Sequence, residues 1–140
     1  MACQASRKAE FIPSVVEGVE QARKFFNGVV STMSIFTKII NREIPAKIVD
    51  ETEDLIVIHD IAPKAPVHLL IIPKKEIKDI QSFANDDFHY ADKMFRMAKK
   101  LSREIPGAED FRVVINSGAK AGQKVFHVHM HFLAGTQMDD

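Results

Sequence analysis

The sequence predicts an α+β domain: an antiparallel sheet of about five strands, one long helix and a short N-terminal helix. Three observations carry that prediction. Short strand-like runs follow one another across brief turns, a single long amphipathic run comes late in the chain, and a histidine-rich segment near the end alternates polar with apolar residues. Parallel neighbours need crossovers of about a dozen residues or more, so strands this close in sequence pair antiparallel.

Met1 to Pro13 shows no periodicity. Ser14-Val-Val-Glu17 then has the form of a capping box opening a short helix that closes near Gly28, with Val15, Val19, Ala22, Phe26 and Val29 as its stripe. We read residues 1–32 as an N-terminal extension, partly disordered apart from that amphipathic stretch, and residues 33–140 as the folded domain. Phe36 to Asn41 is expected to form a helical turn. Extended segments follow at Ile48 to Glu51, Leu55 to His59 and His68 to Ile72, separated by Glu53-Asp54 and by the proline-containing stretch Asp60 to Pro66. The long helix runs from about Asn85 to Ile105, with Phe88, Ala91, Phe95, Ala98, Leu101 or Ser102, and Ile105 as its apolar stripe. Asp86 and Asp87 suit its positive end, Lys99, Lys100 and Arg103 its negative end, and Pro106-Gly107 stops it. Phe111 to Asn116 reads as a strand, Ser117 to Lys124 as a glycine-containing loop, and Val125 to Leu133 as the last strand.

At 140 residues and 46% hydrophobic content, the chain can bury one compact core. Its 19 basic and 19 acidic residues balance, which argues against a general nucleic-acid or membrane-surface binder. The lone Cys3 offers neither a disulfide nor a cysteine zinc knuckle and points to a reducing, cytoplasmic compartment, with the nucleus also open to it. No apolar run reaches the roughly 18–20 residues of a membrane span, and Glu10, Glu17 and Glu20 oppose a signal peptide.

The chemistry concentrates in Phe126-His-Val-His-Met-His-Phe132. In an extended strand, alternate residues share a face about 6.5–7 Å apart, so His127, His129 and His131 line one side while Phe126, Val128, Met130 and Phe132 pack on the other. Three readings remain open from these residues alone: surface histidines without a role, a metal site, or covalent catalysis. Zinc accepts His-x-His pairs, but the outer histidines would lie about 13 Å apart, so His59 or His68 would have to complete the set. As a nucleophile toward phosphorus, imidazole is neutral near pH 7, and crowded imidazoles oppose one another's protonation. Gly118-Ala-Lys-Ala-Gly122-Gln-Lys124, just upstream, offers backbone N–H groups, an amide and two cations to a phosphate.

Gly122-Gln-Lys-Val-Phe-His-Val-His-Met-His131 closely resembles the signature of the histidine triad (HIT) superfamily. Phe36-Thr-Lys-Ile-Ile-Asn-Arg-Glu-Ile-Pro45 and His59-Asp-Ile-Ala-Pro-Lys-Ala-Pro-Val-His68 resemble its N-terminal half, and the likeness spans about Ser34 to Met138. Among branches the chain looks most like the Hint nucleotide-binding proteins. That resemblance implies a HIT-like fold, a homodimer and a purine nucleoside phosphoramidate and aminoacyl-adenylate hydrolase, which makes residues 33–140 a nucleotide-binding domain; the strand geometry and the lack of companion ligands lead us to expect no metal and no other cofactor. The resemblance implies His129 as nucleophile, His127 and His131 in support and in contact with the phosphate, and His68 as a further polarising histidine. It places Asp60 at the ribose hydroxyls, Asn116 and Gln123 near ribose and phosphate, and Phe36, Ile39, Ile58 and Ile61 around the base; His59 is a further candidate substrate-binding residue. Plain core packing for Phe36, Ile39 and Ile58, a turn-forming role for Asp60, and a packing role for His59 are the alternatives.

Two departures stand out. Lys124 replaces the serine that Hint proteins usually carry there for the leaving group, which implies a shift toward leaving groups that depart as anions. The chain ends at Gln137-Met-Asp-Asp140 without the tryptophan-containing tail of animal relatives, and the cysteines through which bacterial relatives often bind zinc near Phe36 are absent. Dinucleoside polyphosphate hydrolysis, or nucleotide-dependent regulation with incidental hydrolysis, are the rival functions.

Overall fold

A computed structural model describes residues 33–140. The predicted helix between Ser14 and Gly28, and Cys3, lie outside the described residues. Helix α1 (Ile35–Ile40) is followed by strands β1 (Ile48–Glu51), β2 (Leu55–His59) and β3 (Val67–Pro73), then the long helix α2 (Phe88–Glu104) and strands β4 (Phe111–Val114) and β5 (Met130–Ala134). The strands form one sheet in the order β1-β2-β3-β5-β4, every neighbouring pair antiparallel, as predicted.

Ser34 caps α1, its hydroxyl accepting the Thr37 N–H, so an otherwise orphaned donor at the helix start is satisfied. A single turn of 3-10 helix at Asn85–Asp87 leads into α2, and the Asp87 carboxylate accepts both the Ala84 N–H and the Lys75 ammonium. The helix closes at Ile105, as expected ahead of Pro106.

The sheet packs on both sides. Leu55 and Val57 of β2, Leu69 and Ile71 of β3, and Met130, Phe132 and Ala134 of β5 face α2, packing on Met94, Met97, Ala98 and Leu101. Ile56, Ile58, Leu70 and Ile72 alternate with them and face α1, where they meet Ile35, Phe36 and Ile39. β2 and β3 are therefore covered on both faces, which is why they read as unbroken apolar runs.

Three expectations need correcting. The predicted stripe of α2 places Phe88 and Phe95 inward, but they are 53% and 58% exposed, while Met94 and Met97 fill the groove over the sheet. The helix carries a wider apolar arc than one sheet contact covers, and the flexible methionines are the part of it that packs on β2, β3 and β5. The final strand is also shorter than predicted: regular pairing begins at Met130, and residues 125–129 run without strand pairing. Phe126, expected in the core, is 42% exposed with the Lys78 ammonium 5.9 Å from its ring centroid.

Candidate active site

The face that carries α1 also carries the site. In the β3–β5 register, His68 lies opposite Leu133 and Leu70 opposite His131, so His68 and His131 are diagonal neighbours on one face. They touch: His68 Nε2 is 2.9 Å from His131 Nδ1. Asp60, just past β2, brings Oδ2 to 3.4 Å from His68 Nε2 and 3.9 Å from His131 Nδ1. Its other oxygen accepts the Ala62 N–H, so Asp60 is at once a turn-former and part of the cluster.

His129 sits beside this pair, its ring centroid 5.1 Å from that of His131 and 5.0 Å from that of Phe36. Its Nδ1 lies 2.7 Å from the His127 carbonyl oxygen. A carbonyl only accepts, so the neutral ring carries its proton on Nδ1 and leaves Nε2 with a free lone pair. Nε2 has no hydrogen-bond partner among the described residues, and the ring lines a cavity of about 580 Å³.

Of the predicted residues, Phe36, Ile39, Ile58, His59, Asp60, Ile61, His68, Asn116, Lys124, His129 and His131 all line that cavity. His127 and Gln123 do not. The His127 ring is fully buried and held at both nitrogens, Nε2 donating to the Pro73 carbonyl at 2.7 Å and Nδ1 lying 2.6 Å from the Ser34 hydroxyl. The ring takes no part in the cavity wall, and the residue meets His129 through its own carbonyl. Gln123, 3% exposed, uses its amide on the main chain: its oxygen accepts the Gly118 N–H, and its nitrogen donates to the Lys78 and Val125 carbonyls. This side chain secures the loop in place of a ligand. The turn just before it uses glycine for its backbone, since Gly122 sits at φ 101° where a side chain would be strained.

Sequence reasoning missed the network behind His127. Glu76 accepts from the Ser34 N–H at 2.9 Å and from the Thr37 hydroxyl at 2.7 Å, which ties the start of α1 to the segment after β3. Neighbouring hydroxyls at Ser34 and Thr37 were the available signal. It also missed Lys47 and Lys64, which join Lys124 on the cavity wall, where Asp60 is the sole carboxylate among the described residues.

Asp60, His68 and His131 each bring a ligating atom within 4.8 Å of the others, a spacing a metal ion could use. His68 opposes it. The Lys64 N–H donates to His68 Nδ1 at 3.0 Å, whereas a neutral imidazole bound to metal through Nε2 would need its own proton on that nitrogen.

Burial holds His129 far below its usual range, at about 4, and the adjacent His131 adds to the effect. Burial also lowers His59, His68, His127 and His131. A histidine of the unfolded chain titrates near 6.5, so between about 4 and 6.5 the unfolded state binds more protons. Stability must therefore rise with pH across that window and be lost as pH falls through it; His129 alone accounts for about 3 kcal/mol of the loss. Urea unfolding at pH 5 and pH 7 should show a lower midpoint at pH 5, and His129→Gln should shrink the difference. Equal midpoints for the parent protein would contradict neutral burial.

The HIT-domain family model matches residues 41–138. An uncharacterized HIT-like protein of Synechocystis is 42% identical over 102 residues, covering 73% of this chain and 90% of the relative. Among solved structures, a HIT family hydrolase from Legionella pneumophila aligns with a TM-score of 0.71 at 42% identity, covering 74% of this chain and 94% of that one. The histidine triad nucleotide-binding protein from Candida albicans aligns with a TM-score of 0.62 at 34% identity, over 71% of this chain and 73% of that one.

Proposed function

The chain belongs to the HIT-domain family, and from that premise we propose that it is a Hint-like purine nucleotide hydrolase, cleaving phosphoramidates and aminoacyl-adenylates through a nucleotidyl-His129 intermediate. The observation that carries this reading is the bare Nε2 of a neutral, buried His129 at the wall of the cavity. Nε2 forms a bond to the α-phosphorus while the bond to the leaving group breaks; the leaving atom keeps the electron pair and, where it is an amine nitrogen, takes a proton from solvent as it departs. Positive charge then spreads over the ring and is held by the His127 carbonyl at Nδ1. Water attacks phosphorus next, the N–P bond breaks, its electrons return to Nε2, and the water's proton leaves to solvent. No metal or other cofactor is needed for either step.

Phe36, Ile39, Ile58 and Ile61 supply apolar walls for a purine, with Asp60 and Asn116 for the ribose and His59 elsewhere on the same wall. Turnover of adenosine phosphoramidate, adenylylated lysine and diadenosine polyphosphates, measured side by side, tests the reading. Rapid cleavage of the first two supports it. Turnover of none, with tight binding of purine nucleotides, would instead favour a regulatory binding protein.

The lysines at 47, 64 and 124 favour one rival specifically, hydrolysis of dinucleoside polyphosphates, because cations around the cavity stabilise a leaving group that departs as an anion. Lys124 has no hydroxyl to accept and relay a proton to a leaving amine. We expect Lys124→Ser to raise the ratio of phosphoramidate to phosphoanhydride kcat/KM. An unchanged ratio at both low and high salt would mean that Lys124 contributes only screened attraction.

We further place the protein in the cytoplasm as a homodimer. Phe88 and Phe95 leave an apolar strip on α2, and β4 is a sheet edge on the same molecule. Light scattering should return about twice the 15.8 kDa chain mass, and a concentration-independent monomer would refute the dimer. Among the described residues, no helix is long and apolar enough to cross a membrane.

A further inference from the structure

We propose that the main-chain N–H of Lys64 is a positioning group that fixes the protons of the His68–His131 pair, so that His131 presents Nε2–H to the cavity as a standing hydrogen-bond donor. One chain of contacts sets these protons. A backbone N–H can only donate, and that of Lys64 lies 3.0 Å from His68 Nδ1, so this nitrogen is unprotonated. Neutral His68 then carries its proton on Nε2, 2.9 Å from His131 Nδ1. His131 Nδ1 must accept, and the proton of neutral His131 is left on Nε2. That nitrogen has no partner among the described residues, and the ring is part of the cavity wall.

Among the described residues, the charged and titratable groups facing the pair are Asp60, Lys64 and His129. Protonating His68 Nδ1 would set two N–H groups against each other, and protonating His131 Nδ1 would do the same against His68 Nε2–H. The pair is thereby held neutral from both ends. His68 is 5% exposed, so water cannot readily replace the amide.

The consequence is a division of labour between adjacent rings that the sequence makes look equivalent. His129 offers a lone pair, and His131 offers an N–H. A neutral imidazole does not release its remaining proton near neutral pH, so His131 stabilises charge on a phosphoryl oxygen and is not the proton source for a leaving amine. This functional half rests on the nucleotide reading above. The proton placement does not.

The test uses the full chain with 15N-labelled histidine and long-range 1H–15N NMR at neutral pH. His68 and His131 should each show a protonated Nε2 and a bare Nδ1. Lys64→Pro, which removes the N–H, should shift His68 toward Nδ1–H, while Lys64→Ala, which keeps it, should leave both tautomers in place. A proton on Nδ1 of either ring in the parent protein overturns the proposal, as do unchanged tautomers in a folded Lys64→Pro variant. If that variant does not fold, the parent spectrum decides alone. Adding adenosine monophosphate then tests the donor role: the His131 Nε2–H resonance should move downfield. Saturation by the nucleotide with no such shift would refute the phosphate contact while leaving the tautomers standing, and no binding at all would count against the nucleotide reading itself.

Discussion

His129→Ala is expected to lower kcat by about 10³-fold or more, equivalent to roughly 4 kcal/mol of barrier. No other imidazole in the cluster can take over. His127 has both nitrogens engaged, and His68 and His131 face each other. The loss should fall on kcat more than on KM, because the ring's essential contribution is a bond made during reaction. Acid-labile nucleotidyl-protein should be trapped by rapid quench of the parent enzyme under saturating substrate unless its hydrolysis outruns its formation. Near-normal turnover by the alanine variant would end the covalent assignment.

Phe36→Ala should destabilise the protein by about 3–5 kcal/mol, the range for truncating a buried aromatic residue. Phe36 is 4% exposed and belongs to the core between α1 and the sheet, and its ring meets those of His127 and His129 edge-on at 5.7 and 5.0 Å. One substitution therefore removes packing, a wall of the cavity and a support of the nucleophile. Urea unfolding measures the first effect and nucleotide affinity the second. Phe126→Ala, on a half-exposed ring, should cost less than about 1 kcal/mol. Comparable losses from both would mean that the core beneath α1 is not packed as described.

Most of the sheet could be read directly because local patterning and tertiary packing agree there. β1 and β2 begin and end where their apolar runs and turn residues do, and β3 differs by a residue at each end. What escaped depends on contacts between distant segments. The inward side of α2 was misjudged because phenylalanine and methionine are equally apolar in a periodicity count, and only the shape of the sheet beneath decides which is buried. In the site, the His68–His131 contact follows from strand register, which no local pattern specifies. The direction in which His127 points follows from Ser34 and Pro73, far from it in sequence. Gln123 shows the opposite failing, since an amide beside a phosphate-binding motif suggests a ligand until its three main-chain partners are seen.

The double burial of β2 and β3 has a consequence for misfolding. In an ordinary half-solvated strand, a one-residue slip exposes the hydrophobic set and is rejected by water. Here such a slip would only exchange the two sets of aliphatic side chains between the α1 and α2 sides, with little change in apolar area. What penalises it is polar: a slipped β3 would turn His68 into the wholly apolar layer beneath α2, stripped of Lys64 and His131. The imidazoles thus act as alignment marks for the sheet. Replacing His68 with leucine should remove this safeguard as well as a polar contact, and heterogeneity of β-strand pairing during refolding is where that loss would appear.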